Sequence, residues 1–189
     1  MQAIDFIYER LHEDISVYYL KQLHSLLFRN APYVTASWNP DLKQHVNKSM
    51  VPGRFKQLPN SVLKRDGTMH NYVDPLQVEP QMEELVQFVN DTHSKVHPIE
   101  RSAIAHYNLV RIHPFDDGNG RLARLLMNMV LLKYGYPPCV IHTTDRVAYY
   151  DSLEAADSGD LSSFACFVAD QIVKTYNEVV SDMRHLVKQ

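Results

Sequence analysis

The chain is 189 residues long, 45% hydrophobic and 22% charged, with a formal net charge of −3. That is enough chain for one substantial core, and the slight acidity excludes the basic footprint of a nucleic-acid binder. Two cysteines, Cys139 and Cys166, exclude a disulfide framework and read as buried free thiols in apolar contexts; with no signal-peptide h-region and no apolar run of membrane-spanning length, a cytoplasmic protein is expected.

Residues 2–12 and 16–28 read as amphipathic helices, the second with Val17, Leu20, Leu23, Leu26 and Leu27 on one side. The helical period then fails from about Asn30 to Pro80, where six of the ten prolines fall, so this stretch is expected to be loop with short strands. Within it, VLKRDGTMHNYV sets Asp66-Gly67 between two β-capable runs, the signature of a short hairpin. Helices return at 80–93, 98–112, 119–134, 145–157 and 160–184. Pro98 suits a first helical turn, Asp160 an N-cap, and Gly135 a C′ position. In the 98–112 segment the helical apolar spacing picks out Ile104, Tyr107 and Ile112. The fold class is therefore all-α, a helical bundle with one β-hairpin, and no repeat or linker divides the 189 residues.

The junction between the segments at 98–112 and 119–134 reads HPFDDGNGRLAR, residues 113–124. Gly118 and Gly120 allow successive backbone N–H groups to turn inward, which makes an anion-binding nest at a helix N-terminus. Arg121 and Arg124 sit in the first turns, where helix polarity disfavours cations by about 0.3–1 kcal/mol each; a bound anion removes that conflict. At i and i+3 they share one face. Pro114 disfavours the helical region for His113, which helps to end the preceding helix. Asp116 and Asp117 add acceptors, and a divalent cation between carboxylate and phosphate reconciles them with the cationic surroundings.

Taken together, these residues suit holding a polyphosphate with its metal and deprotonating the group that attacks it: His113 as general base, with Asp116 and Asp117 as acceptors for a divalent cation and the Gly118–Asn119–Gly120 nest, Arg121 and Arg124 for the phosphates. Singly, each has a plainer explanation. DDGNG is a common turn, a histidine before proline is often structural, and two arginines often mark a solvated face. His93, His97 and His106 raise zinc alongside His113, but their spacing is not HExxH and no cysteine joins them.

HPFDDGNGRLAR resembles the core motif of the Fic family, HPFx(D/E)GNGRxxR, at every defining position. HPIERSAIAHYNLVRI before it, LLMNMVLLKYGYPP and DRVAYYDSLEAADSGDLSSFACFVA after it, and MVPGRFKQ and HNYVDPLQVEPQMEELVQFVN upstream resemble the same domain. The likeness runs from residue 15 to 175, so one Fic domain is expected over 1–189, with a flap at 62–73 and the active-site loop at 113–124. The resemblance implies a protein adenylyltransferase that moves AMP from ATP to a Ser, Thr or Tyr hydroxyl and releases pyrophosphate. It implies His113 as base, Asp117 on Mg²⁺, Gly118, Asn119, Gly120 and Arg121 around the phosphates, and Arg124 near the terminal one. Phe115 becomes a buried anchor. Tyr149 and Tyr150 fall where similar proteins line the nucleotide pocket, with Leu153 one turn on; Asp157 stands where relatives often carry Asn. A target protein is expected at the flap by strand addition, and a separate inhibitor chain or a homodimer is compatible with the family.

Other Fic-type transfers (UMP, phosphocholine), removal of AMP, and a non-catalytic helical interaction module remain as alternatives. An intact GNGR disfavours the kinase branch of the family. The family's inhibitory motif, (S/T)xxxE(G/N), is not found in these residues, because no glutamate has Ser or Thr four positions earlier. On that reading Arg124 has no in-chain inhibitor, and the chain is expected to act without a partner to release it.

Overall fold

A computed structural model describes residues 3–30, 34–39, 44–63, 67–93 and 95–186. The chain divides into two compact units, Met1–Thr92 with Asn108–Ala123, and His93–Tyr107 with Arg124–Gln189.

The first unit opens with α1 (Ala3–Glu9) and α2 (Val17–Leu27). Ser16 caps α2, its side chain accepting from the Tyr19 N–H, which satisfies one of the orphan donors of a helix start. Leu20 and Leu23 are fully buried on the expected face; His24 joins them at 0% exposure, while Leu26 and Leu27 are only partly covered. Two antiparallel pairs follow. β1 (Val34–Asn39) pairs with β2 (Gln44–Ser49), and β3 (Ser61–Leu63) with β4 (Met69–Asn71), Val62 opposite His70. The second pair is the expected hairpin; its turn lies partly outside the described residues, which leave out Asp66. The first pair goes beyond the single hairpin expected.

α3 (Pro75–Asn90) begins five residues ahead of its predicted start and contains Pro80, which sequence reasoning took as a boundary. Asp74 caps it through the Leu76 N–H, and Pro75 occupies the first turn, where a missing N–H costs nothing. The carbonyl that Pro80 deprives of a donor belongs to Leu76, which is 86% exposed, so water can satisfy it. Asn90 ties the end of α3 to the segment leading into α2: its Oδ1 accepts from the Ile15 N–H at 3.0 Å and its Nδ2 donates to the Ile15 carbonyl at 2.6 Å.

α4 (Pro98–Ile112) and α5 (Asn119–Lys133) each contribute to both units. The buried face of α4 includes Ala105, His106, Leu109 and Ile112, whereas Ile104 and Tyr107 are partly exposed. The small residues hide the core face here, because a helix packed closely against its neighbours needs alanine where a periodicity count seeks bulk. In the second unit, α6 (Arg146–Asp157) and α7 (Leu161–Leu186) pack around Met127, Leu131, Leu153, Phe164, Phe167 and Val168. Asp160 caps α7 by accepting from the Ser163 N–H at 3.4 Å. α5 ends in a Schellman turn, with Gly135 (φ +77°) donating to Leu132 and Tyr136 to Leu131, both at 3.0 Å.

Cys139 is buried as expected, and burial pushes its thiol up to about 12. Cys166 is exposed, contrary to expectation. On α7 the core-facing positions are Phe164, Phe167, Val168, Gln171 and Ile172, and Cys166 is two residues from Phe164, which turns it away from them. Among the described residues no helix is long and apolar enough to cross a membrane.

Asn128 repeats the Asn90 device: Oδ1 accepts from the Cys139 N–H at 2.7 Å and Nδ2 donates to the Cys139 carbonyl at 3.1 Å. Asn128→Ala leaves both backbone groups of a buried residue unpaired and is expected to cost about 1–3 kcal/mol, measured as a fall in the denaturant midpoint with unchanged m-value.

Candidate active site

α4 ends at Ile112, and the next residue, His113, is the one non-glycine residue with positive φ among those described, at +52°. The Pro114 ring biases its predecessor toward extended backbone, so this left-handed pose is strained and has to be held by its surroundings. Three contacts hold it. The His113 N–H donates to Leu109 at 3.0 Å, its Nδ1 lies 3.2 Å from the Val110 carbonyl, and its ring stacks on Tyr72 at 3.7 Å and 14°. A carbonyl only accepts, so Nδ1 carries the proton and Nε2 presents the lone pair. Burial lowers the His113 pKa to about 4; Lys56 and His70 push the same way, against the Val110 carbonyl and Asp117. At neutral pH the imidazole is an unprotonated base with a defined tautomer.

Phe115, at 0% exposure, is the anchor of the loop. Its ring stacks on His24 at 3.8 Å and 9° and meets Phe55 at 5.2 Å. Asn119 closes on its backbone, Oδ1 accepting from the Phe115 N–H at 2.9 Å and Nδ2 donating to the Phe115 carbonyl at 2.8 Å. The Asn119 amide is thus occupied within the loop, and what it has for an anion is its main-chain N–H at the start of α5. The first N–H groups of a helix have no intrahelical acceptor, and here they belong to Asn119, Gly120 and Arg121.

His24 fixes the loop from α2. The Gly53 N–H donates to its Nδ1 at 2.8 Å; Nε2 therefore carries the proton and donates to the Asp117 carbonyl at 2.9 Å. Burial holds its pKa below the ordinary value, so both bonds persist at neutral pH. The Asp117 carboxylate accepts from the Gly118 N–H at 2.5 Å and lies 3.8 Å from Arg121 Nη2. Arg121 also lies over the Phe28 ring at 4.4 Å. The misplaced charge expected of Arg121 is thus partly relieved by an acid and an aromatic face of the same unit. With 46% of its side chain exposed, Asp117 retains hard oxygen for a cation.

The second unit holds the other predicted site residues. The Arg124 guanidinium stands beside the Tyr149 hydroxyl and opposes the rise of that phenol to about 12, which burial causes. The Tyr149 hydroxyl also meets His106 Nε2 at 3.3 Å; burial, with Arg124, lowers His106 to about 3. Tyr149 and Leu153 lie in the core of this unit. Tyr150 is 46% exposed, with Arg146 5.5 Å over its ring, and Asp157 accepts from the Tyr107 hydroxyl at 3.1 Å.

A family model for the Fic/DOC family matches residues 14–131. The chain belongs to that family. Over 174 residues it is 34% identical to protein adenylyltransferase fic-1 of Caenorhabditis elegans, covering 92% of this chain and 30% of that protein. Over 94 residues it is 48% identical to protein adenylyltransferase Fic of Aedes aegypti, covering 48% of this chain and 19% of the relative. Among solved structures, a Fic domain containing signaling protein from Bacteroides thetaiotaomicron superposes with TM-score 0.78 at 27% identity, over 91% of this chain and 65% of that one. Fic-1 from C. elegans does so with TM-score 0.74 at 31% identity, over 97% of this chain and 49% of the other. The chain thus spans only part of each of these relatives.

Of the predicted site residues, His113, Phe115, Asp117, Gly118, Asn119, Gly120 and Arg121 fall in the first unit, and Arg124 at the end of the Fic loop, with Tyr149 and Tyr150 on α6, in the second. Sequence reasoning missed His24, Lys56, Asn60 and Tyr72. The one available signal was a histidine on the apolar side of α2, which by itself reads as core.

Gly118 and Gly135 test how tightly the loop is packed. Both have left-handed backbone, φ +78° and +77°, but a Cβ at Gly135 meets nothing within 4 Å, whereas at Gly118 it lies 2.5 Å from Phe28 Cε2. Gly135→Ala is expected to cost about 1–2 kcal/mol from backbone strain alone, and Gly118→Ala about 2–4 kcal/mol because overpacking is added. Equal losses in chemical denaturation would mean that the Phe28 side of the loop yields freely.

Proposed function

We propose that this Fic chain is a protein adenylyltransferase: one Fic domain that moves AMP from ATP to a Ser, Thr or Tyr hydroxyl of a target protein. The observation that carries the reading is His113, a neutral, strained imidazole whose Nδ1–H is engaged and whose Nε2 has a lone pair to offer. The names of the C. elegans and A. aegypti relatives support it.

In the reaction the target hydroxyl oxygen attacks the α-phosphorus, its proton passes to His113 Nε2, and the bond to the bridging oxygen of pyrophosphate breaks. A base that is already unprotonated at neutral pH needs no prior deprotonation. The main-chain N–H groups of Asn119, Gly120 and Arg121 meet phosphate oxygens at the positive end of α5. Arg121 adds charge there, and Arg124, one turn further along α5, takes the terminal phosphate. Tyr150, half exposed, is the ring available to the adenosine; Tyr149 acts through Arg124.

The half-exposed Asp117 carboxylate beside a phosphate nest fits Mg²⁺, which favours one or two carboxylates together with substrate phosphates and water. When bound it would neutralise phosphate charge. A cation there would also take over the carboxylate now facing Arg121 and release that guanidinium toward the nucleotide. The target docks by strand addition to the β3–β4 flap, where Val62, Leu63 and Met69 are exposed at 43%, 48% and 42% and backbone pairing needs little side-chain specificity.

Incubation with labelled ATP, Mg²⁺ and a cell lysate is expected to add an AMP-sized mass to hydroxyl side chains, including those of the chain itself. A phosphate-sized increment would indicate kinase chemistry. His113→Ala is expected to reduce transfer by about 10²–10⁴-fold while nucleotide binding persists; wild-type turnover in that variant would remove His113 as base. Asp117→Ala is expected to raise the Mg²⁺ needed for nucleotide binding far more than Asp116→Ala does, read from Mg²⁺ titrations of both variants, and the reverse order would move the metal to Asp116.

A further inference from the structure

We propose that Lys56 is a positioning residue for His113, holding the imidazole in its left-handed, Nδ1–H-donating pose through the backbone on either side of it and through Asn60 and Tyr72. The inference rests on His113 being the base, as argued above, and concerns how the chain keeps it ready.

Lys56 is 1% exposed. A buried ammonium is costly unless its donors are engaged, so its neighbours are informative. Nζ donates to Asn60 Oδ1 at 2.7 Å and to the Ile112 carbonyl at 3.4 Å. The Lys56 N–H donates to the Pro114 carbonyl at 2.9 Å. Ile112 and Pro114 are the two residues that flank His113, so one lysine grips the chain before and after the strained position. Asn60 extends the grip: its Nδ2 donates to the Phe115 carbonyl at 3.2 Å, and its own carbonyl accepts from the Tyr72 N–H at 3.2 Å. The Tyr72 ring, with Lys56 Nζ 5.9 Å from its centroid, then stacks on His113. The path from Lys56 through Asn60, Tyr72 and His113 back to Ile112 is closed.

Three effects follow from that closure. The φ of +52° is over-determined by contacts on both sides, as a strained functional residue requires. Tyr72 restrains rotation of the ring that would break the Val110 bond and lose the tautomer. The buried charge also opposes protonation of His113. The groups that act electrostatically on the imidazole are Lys56 from the 55–60 segment, His70 from β4, and Asp117 from the loop itself; Lys56 and His70 oppose protonation, and Asp117 favours it.

The test is imidazole ¹⁵N NMR of the full chain, with the His113 signal assigned by its loss in His113→Gln, combined with transfer kinetics. In the parent chain the signal is expected to report the Nδ1–H form, still neutral at pH 6. In Lys56→Met the midpoint is expected to rise by about one pH unit and the two tautomers to mix. For kcat the expected fall is about tenfold or more, as for a misplaced catalytic group, with nucleotide affinity changed less than twofold. Lys56→Arg, which keeps a buried cation, is expected to restore most of both. A folded Lys56→Met with parent-like His113 tautomer and midpoint overturns the proposal. If Lys56→Met does not fold, Lys56→Gln keeps an N–H donor without the charge and carries the same comparison. A moved His113 signal in a chain that transfers no AMP would sink the functional reading and leave the positioning role standing; AMP transfer with an unmoved signal would do the reverse.

Discussion

Asn119 donates to and accepts from the backbone of Phe115, closing a five-residue loop around a ring that is wholly buried. That closure is the constraint on which the other features of the loop depend. It brings the chain from the end of α4 to the start of α5 in so few residues that Gly118 must adopt positive φ against Phe28 and His24. It sets the first N–H groups of α5 outward and puts the Asp117 carboxylate beside them. An asparagine is suited to this because its planar amide matches one N–H and one C=O of a single residue. Asn90 on Ile15 and Asn128 on Cys139 repeat the match elsewhere in the chain.

Around this loop burial favours the neutral form of His24 and His113, and each has its tautomer set by a different partner. His24 takes the Gly53 N–H on Nδ1 and donates from Nε2 to Asp117; His113 donates from Nδ1 to Val110 and has its Nε2 lone pair to offer. The first arrangement uses both nitrogens and makes a strut. The second uses one and makes a base. Burial produces neutrality in both cases, because a low-dielectric setting disfavours the imidazolium. Hydrogen bonding alone separates a structural histidine from a reactive one.

Charge is arranged to complement this. Lys56 is buried and donates to Asn60 and to the Ile112 carbonyl, Arg121 lies near Asp117 and over Phe28, and Arg124 stands beside Tyr149 within its own unit. The partners of Arg121 and Arg124, a carboxylate at 3.8 Å and a phenol, attract less strongly than a phosphate in direct contact. Such partners limit the self-repulsion of a cationic nest while leaving the stronger attraction for a ligand.

Much of the loop was legible in the residues themselves. HPFDDGNGRLAR declares a helix stop at Pro114, turn residues, a helix start at Asn119 and two arginines on one face, and each of these depends on neighbours within four positions. The same locality made the caps at Asp160 and Gly135 readable. It failed where packing outranked pattern: Pro80 inside α3, on a turn where the exposed Leu76 lets water in, the alanine-lined face of α4, and Cys166 on the outer side of α7. His113 was identifiable as the candidate base, but the backbone rule for a residue before proline pointed away from the left-handed pose it adopts. The tautomer follows from the Val110 carbonyl and the ring contact from Tyr72, while burial, helped by Lys56 and opposed by Val110, lowers the pKa. Residue identity, spacing and local backbone preference determined which chemistry this protein carries. Only the tertiary structure decided which nitrogen of His113 presents its lone pair, because that depends on which carbonyl the fold brings within hydrogen-bonding distance and on the burial that keeps the imidazole uncharged.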